Sequence, residues 1–267
     1  MSLPTLTYFN FKGRAFPVRV LLFKAYGKDG WTNETFEFPA WPVLKPTTPL
    51  GSLRKIGVLQ GVLVMLLFLM KTGVLVMLLF LMQDRWFGPV VVFHNNSFIV
   101  ISPTLLRVSF PPTAFLTLPD GTRFAQSESI ARYAGKLCGM YPSDPLQALI
   151  VDEASAVANE ALSKAPQHSD ADEMKRLREE YGKGFLAKAM ALLEARVASA
   201  GGGPFLLGAT MTYSDLIVHG LVDMIVAGQI DHILPEYVQS YPHLVALNTA
   251  VVESDLVKAY TAAGYSS

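Results

Sequence analysis

Two side chains and a lone thiol carry the chemistry that this sequence offers near neutral pH. Tyr8 lies in a β-branched and aromatic segment, and its hydroxyl, with an ordinary pKa of about 10, stays neutral and can donate a hydrogen bond. Ser127 opens a predicted helix, where free N–H groups and the helix dipole attract a carboxylate. Each also has a structural interpretation, because Tyr8 would suit a buried strand and Ser127 a helix cap. Cys138, at a helix end, is interpreted as packing rather than as a nucleophile.

Composition excludes several classes of site. The single cysteine rules out an intramolecular disulfide or a multi-thiolate zinc site, and it fits a reducing, cytoplasmic compartment. The five histidines stand apart from one another, so we predict no metal. Lys+Arg and Asp+Glu are 22 each, and a net charge of zero argues against nucleic-acid binding. The N-terminus has neither the basic nor the apolar region of a secretory leader.

Local patterns predict an α/β first part. A tight turn at Pro119-Asp120-Gly121 joins two short strands as a hairpin. Proline close to the start of a helical apolar pattern favours a first helix near Pro17. The predicted order is strand 5–11, helix 17–26, strand 35–38, strands 115–118 and 122–125, and helix 128–137.

The second part is predicted to be all-helical from Pro145 onward. Thr212 and Asp215 form a capping box before a helix that is apolar on nearly every side, which indicates a central position. A last helix is predicted to run through Leu244 and Leu256. One helix face is predicted to comprise Leu146, Leu149, Ile150, Val157 and Leu162.

An exact repeat interrupts the first part. Residues 61–70 recur unchanged as residues 73–82, which suggests recently duplicated DNA rather than a structural repeat. The surrounding codons can be read as intron borders at Arg54-Lys55 and at 109–114. We therefore hypothesise that residues 54–114 are a retained, in-frame intron, whose removal gives Leu-Pro-Phe at the junction and a 207-residue chain. A membrane span at 61–82 and a genuine insertion remain the alternatives.

With residues 54–114 set aside, the sequence resembles the glutathione transferases, most closely the sigma-like class. The resemblance covers residues 1–53 and 115–267. It rests on five segments in order, which are Leu6-Thr7-Tyr8-Phe9-Asn10, Gly13-Arg14-Ala15, Trp41-Pro42-Val43-Leu44-Lys45-Pro46, Gln126-Ser127-Glu128-Ser129-Ile130-Ala131-Arg132-Tyr133 and Thr212-Tyr213-Ser214-Asp215. It implies a thioredoxin-like domain at 1–140, interrupted by 54–114, and an all-helical domain at 145–267.

The resemblance also implies a glutathione site. Tyr8 matches the catalytic tyrosine, whose hydroxyl would hydrogen-bond the thiolate, the form of a thiol that attacks electrophiles. Residues that match glutathione-binding positions are Arg14, Trp41, Lys45, Leu53, Gln126 and Ser127. Three departures weaken the match. Phe16 replaces the usual acidic residue, and Ser52 replaces a common Gln or Lys. Arg54 stands where the family has a cis-proline, which removal of residues 54–114 would restore.

The implied activity is conjugation of glutathione, as co-substrate, to hydrophobic electrophiles, by a cytoplasmic homodimer without metal, nucleic-acid or membrane partners. The alternatives are a glutathione-dependent isomerase or peroxidase of the same fold, and a non-catalytic structural relative. Because the segment 54–114 interrupts the loop at Leu53, we expect little or no activity from the chain as written.

Overall fold

The computed structural model describes residues 2–37, 90–94, 97–101 and 114–265. They fall into two compact units, one comprising Met1–Ala40 with Pro112–Ser267 and the other comprising Trp41–Pro111. In the second unit, strands β3 (Val90–His94) and β4 (Ser97–Ile101) form an antiparallel hairpin. The repeat at 61–82 lies outside the described residues.

A four-stranded sheet organises the first part of the larger unit. Its strands are β1 (Thr5–Phe9), β2 (Thr32–Phe36), β5 (Phe115–Thr117) and β6 (Arg123–Ala125), in the order β2-β1-β5-β6. β1 pairs in parallel with β2 and antiparallel with β5, so it lies at the centre. The segments that precede and follow the interruption therefore join one sheet, as the sequence predicts.

Strand bounds differ from the prediction at β2. The predicted strand at 35–38 begins earlier, at Thr32, because the parallel register pairs Thr5 with Thr32 and Phe9 with Phe36. At the β5–β6 hairpin the predicted turn is present. The Asp120 carboxylate accepts a hydrogen bond from the Thr122 N–H at 2.8 Å, and Gly121 adopts a φ of 86° that favours glycine.

Eight α-helices are described in this unit. A short 3₁₀ turn (Gly13–Ala15) leads into α1 (Phe16–Tyr26), and α2 (Ser127–Leu137) follows the hairpin. The others are α3 (Pro145–Lys164), α4 (Ala171–Tyr181), α5 (Ala187–Ala200), α6 (Tyr213–Val226), α7 (Pro242–Glu253) and α8 (Asp255–Ala262). A π-helical turn (Gly182–Leu186) joins α4 to α5. The predicted α/β part followed by an all-helical part is confirmed.

Helix α6 is the centre of the helical part, and its start carries the predicted capping box. The fully buried Asp215 carboxylate accepts hydrogen bonds from the N–H groups of Leu206 (2.8 Å) and Thr212 (2.7 Å) and from the Thr212 hydroxyl (2.7 Å). Burial raises the pKa of Asp215 to about 6, so the group is still ionised at neutral pH. The buried Asp215 charge thus fixes the start of this helix through its three hydrogen bonds.

Two helical predictions need correction. The last helix is not continuous, because the Ser254 hydroxyl caps a new helix, α8, by accepting from the Val257 N–H at 3.3 Å. The predicted face of α3 is also partly wrong, since Leu146 and Leu149 are 66 % and 65 % exposed. The side of α3 that is buried carries mainly small residues, namely Val151, Ala154, Ser155, Ala158 and Ala161.

None of the described helices is both long enough and apolar enough to cross a bilayer.

Candidate active site

Tyr8 lies in the central strand of the sheet and is almost fully buried, at 3 % exposure. Its hydroxyl faces the 3₁₀ turn that follows β1. A Cβ built on Gly13 would lie 2.9 Å from that hydroxyl and 2.5 Å from the Phe11 ring, and the φ of Gly13 is +40°. The turn therefore approaches Tyr8 at a distance that only glycine permits.

The Tyr8 hydroxyl is held in its neutral form. Burial raises its pKa above the ordinary value of 10.0, and a hydrogen bond from the Arg14 backbone and the charges of Arg14 and Arg19 oppose that rise without cancelling it. A neutral phenol beside two cations can donate a hydrogen bond to an anion. This is the protonation state that the predicted catalytic role of Tyr8 requires.

Arg14 extends from the turn toward the helical part. Its guanidinium Nη2 donates to the Ser163 hydroxyl of α3 at 2.9 Å, and Ser163 in turn donates to the Asn159 carbonyl at 2.8 Å. Burial lowers the pKa of Arg14, while the nearby Tyr8 opposes that change. Because arginine stays protonated in proteins, the guanidinium supplies a positive charge here.

The start of α2 supplies N–H groups next to the same region. Ser127 is the first helical residue, and Gln126 occupies the cap position without a side-chain hydrogen bond to the helix. Gln126 and not Ser127 therefore occupies the N-cap position, so Ser127 does not have the purely structural capping role considered in the first subsection. Gln126 adopts φ 77° and ψ 100°, a conformation that costs a non-glycine residue about 1–3 kcal/mol and that often marks a ligand site.

An open cleft brings two of these groups together. Gly13, Arg14 and Ser127 line it, and Gly13 also abuts the Tyr8 hydroxyl. Tyr8 itself is not among the lining residues. The rest of the lining is mostly apolar and comes from α1, α2, α3 and α6, namely Pro17, Glu128, Ala131, Asn159, Leu162, Ile217, Gly220 and Met224. Trp41, Lys45 and Leu53 lie outside the described residues.

A polar network behind Ser127 was not foreseen from the sequence. Arg132 pairs with Glu128 at 2.9 Å and with Asp152 at 3.0 Å, which joins α2 to α3. The Tyr213 hydroxyl of α6 donates to Asp152 at 2.6 Å. Burial acts to raise the pKa of Asp152, but the hydrogen bonds from Tyr213 and Arg132 outweigh it and lower the pKa. The network fixes the start of α2 against two helices of the helical part.

Within the described ranges, no three metal-ligating side chains lie together. The absence of a metal therefore stays a prediction, since residues 38–89 and 102–113 are not described.

Comparisons with known proteins identify the fold. Residues 158–264 match a family model described as glutathione S-transferase, C-terminal domain. Among solved structures, prostaglandin synthase D of Nilaparvata lugens has a TM-score of 0.65 at 21% identity, covering 98% of this chain and 98% of that chain. A Fasciola hepatica sigma class GST has a TM-score of 0.62 at 18% identity, covering 99% of this chain and 98% of that chain. Na-GST-3 of Necator americanus, described as monomeric, has a TM-score of 0.62 at 14% identity, covering 100% of this chain and 99% of that chain.

A search of curated proteins by sequence found no match. At the identities of the solved structures, the likeness establishes the fold. The fold is that of the glutathione S-transferases, with a small N-terminal sheet followed by the family's helical C-terminal domain, so the resemblance drawn from the sequence is confirmed at this level.

Proposed function

Because the chain has the glutathione S-transferase fold, we propose that it is a glutathione transferase that conjugates the thiolate to hydrophobic electrophiles. The observation that supports this most is the buried, neutral Tyr8 hydroxyl, which lies against the turn that carries Arg14. A neutral donor flanked by cations favours a thiolate over a thiol.

The proposed glutathione site extends from Tyr8 along the cleft. Ser127 and Gln126 would hold the γ-glutamyl carboxylate, because the first turn of α2 presents N–H groups that no Gln126 side chain caps. Arg14 would add positive charge beside the sulfur. Trp41, Lys45 and Leu53 stay predicted contacts for the glycine and cysteine parts. The apolar cleft lining from α3 and α6 suits a hydrophobic second substrate.

Retention on immobilised glutathione and aryl-halide conjugation test this proposal, and both are measured on the full chain and on the 207-residue form. We expect the 207-residue form to bind glutathione and to catalyse conjugation. We expect the full chain to show little binding or activity, because the extra segment interrupts the loop at Leu53. Sequencing the transcript across Leu53 and Phe115 checks the intron hypothesis separately. Failure of both forms to bind glutathione would refute the proposed function.

Glutathione-dependent isomerisation is the second candidate function, and the structural likeness to prostaglandin synthase D supports it. It would use the same thiolate but release glutathione unchanged, whereas conjugation consumes glutathione. Assaying one preparation for glutathione consumption with an aryl halide and for prostaglandin formation separates the two activities. Activity in neither assay, despite glutathione binding, would favour a non-catalytic protein.

We also propose that the protein is a cytoplasmic homodimer. Large apolar side chains are exposed on β6, α2 and the first turns of α3, namely Phe124, Tyr133, Leu137, Leu146 and Leu149. Phe124 and Tyr133 also line one apolar pocket. Side chains of this kind on neighbouring elements are typical of an interface.

Replacing Leu149 with aspartate is expected to shift the protein from dimer to monomer, because it places a charge in the proposed interface. Light scattering coupled to size-exclusion chromatography measures the mass directly. Leu234→Asp is the matched control, since Leu234 is equally exposed, at 68 %, but lies before α7. If the unmodified protein is itself a monomer, as Na-GST-3 is described, the dimer proposal is refuted.

A further inference from the structure

Arg19 of α1 is a buried cation near Tyr8 to which the proposed glutathione site assigns no contact. Only 5 % of it is exposed. Its guanidinium makes three hydrogen bonds, from Nε to the Asn33 side-chain oxygen (3.0 Å), from Nη1 to the Phe11 carbonyl (2.7 Å) and from Nη2 to the Phe9 carbonyl (2.9 Å). These acceptors belong to β2, to the loop after β1 and to the end of β1.

This arrangement fixes the path of the chain beside Tyr8. The carbonyls of Phe9 and Phe11 lie on either side of Asn10, immediately before the turn whose Gly13 abuts the Tyr8 hydroxyl. A planar guanidinium fixes the direction of each of its hydrogen bonds, which a lysine ammonium does not. Arg19 therefore sets the geometry of the segment that brings Gly13 and Arg14 to Tyr8.

The charge of Arg19 is poorly compensated in the described part of the chain. Each of its three acceptors is a neutral oxygen, and a buried charge with neutral partners is costly to fold. Its guanidinium carbon lies 5.7 Å from the centre of the Tyr8 ring. An anion formed in front of the Tyr8 hydroxyl would provide the missing opposite charge.

Among the residues that the structure describes, the other ionisable groups around this pair do not provide that charge at neutral pH. Arg14 of the turn is a second cation, and Tyr260 of α8, whose burial raises its pKa to about 12, is neutral. Glu34 of β2 accepts a hydrogen bond from the Thr7 hydroxyl at 2.6 Å and is not a partner of Arg19.

We propose that Arg19 is a positioning residue for the reaction, which holds the turn against Tyr8 through its three hydrogen bonds and favours the thiolate through its charge. The inference rests on the proposed function. It assigns the two effects to different properties of one side chain, so two substitutions can separate them.

The experiment compares Arg19→Lys with Arg19→Gln, in the full chain and in parallel in the 207-residue form. Lysine keeps the charge but loses the planar array of donors, so kcat per glutathione-binding site is expected to fall about tenfold with the pH profile unchanged. Glutamine loses the charge as well, so the pKa seen in the profile of kcat/KM is expected to rise by about one unit. Counting sites by glutathione titration removes the effect of any misfolded fraction.

Arg178→Gln is the matched control, because Arg178 lies in α4 and is just as buried, at 3 % exposure. We expect its kcat per site and pH profile to match those of the unmodified chain. A wild-type profile for Arg19→Gln, a wild-type kcat for Arg19→Lys, or the same shift in Arg178→Gln would overturn the inference. If Arg19→Gln does not fold, Arg19→Lys decides the positioning effect, and Arg19→Met, which also lacks the charge, replaces Arg19→Gln in the pH-profile measurement. Absence of turnover in the unmodified full chain and 207-residue form would instead overturn the proposed function, and the inference with it.

Discussion

Tyr8→Phe is expected to slow glutathione conjugation about 100-fold near neutral pH, which corresponds to a shift of about two units in the thiol pKa. The substitution removes the hydroxyl and keeps the ring, so packing around the 3 %-exposed side chain is nearly unchanged. The thiol then loses the neutral donor that favours its ionised form. At a pH well above the thiol pKa, the difference between variant and unmodified protein should shrink, because the thiolate forms unaided.

The measurement is the pH profile of kcat/KM for an aryl halide, in whichever form binds glutathione. Tyr181→Phe is the control, because the Tyr181 hydroxyl is also buried and donates to the Ala161 carbonyl at 2.6 Å, and neither residue lines the cleft. Its loss should affect stability but leave the profile in place. Equal turnover by Tyr8→Phe and unmodified protein would exclude the catalytic role of Tyr8.

Asp215→Ala is expected to lower the free energy of unfolding by about 3 kcal/mol or more. The substitution leaves the buried N–H groups of Leu206 and Thr212 and the Thr212 hydroxyl without their common acceptor. Each unsatisfied buried donor costs about 1–3 kcal/mol. Since α6 packs against α1, α3 and α7, the loss should reach most of the larger unit.

Urea unfolding followed by circular dichroism measures this difference. Asp170→Ala is the matched control, because Asp170 also caps a helix, through the Glu173 N–H at 2.9 Å, but is exposed. A lost exposed cap typically costs about 1 kcal/mol. If the two substitutions had equal effects, the buried carboxylate would not be a principal support of α6.

Features set by neighbouring residues were predictable from the sequence. The capping box at Thr212 and Asp215, the turn at Asp120 and the first helix all follow from residues within a few positions of one another. Arg14 and Ser127 were also predicted to lie in one site, and in the structure both line one cleft. That juxtaposition came from the resemblance, since residues so far apart give no local indication of contact.

Features that depend on distant partners were not predictable. Arg19 binds backbone carbonyls, which every residue has and no pattern distinguishes. Arg132 and Asp152 are on different helices, and nothing in their spacing indicates a pair. Leu146 and Leu149 fit the apolar period of a buried face, yet α3 buries its small residues instead, because helices approach closely where side chains are small.

The central position of β1 has a consequence for how the chain closes its sheet. β2 and β5 flank that strand, so the polypeptide must return after the whole of 37–114 to complete the pairing. That stretch is roughly four times as long as splicing would leave it, and even a wholly flexible chain would lose only about 0.6 kcal/mol of entropy for each doubling. We therefore expect the added length to weaken sheet closure by little more than one ordinary hydrogen bond, and the predicted loss of activity to arise from the break after Leu53.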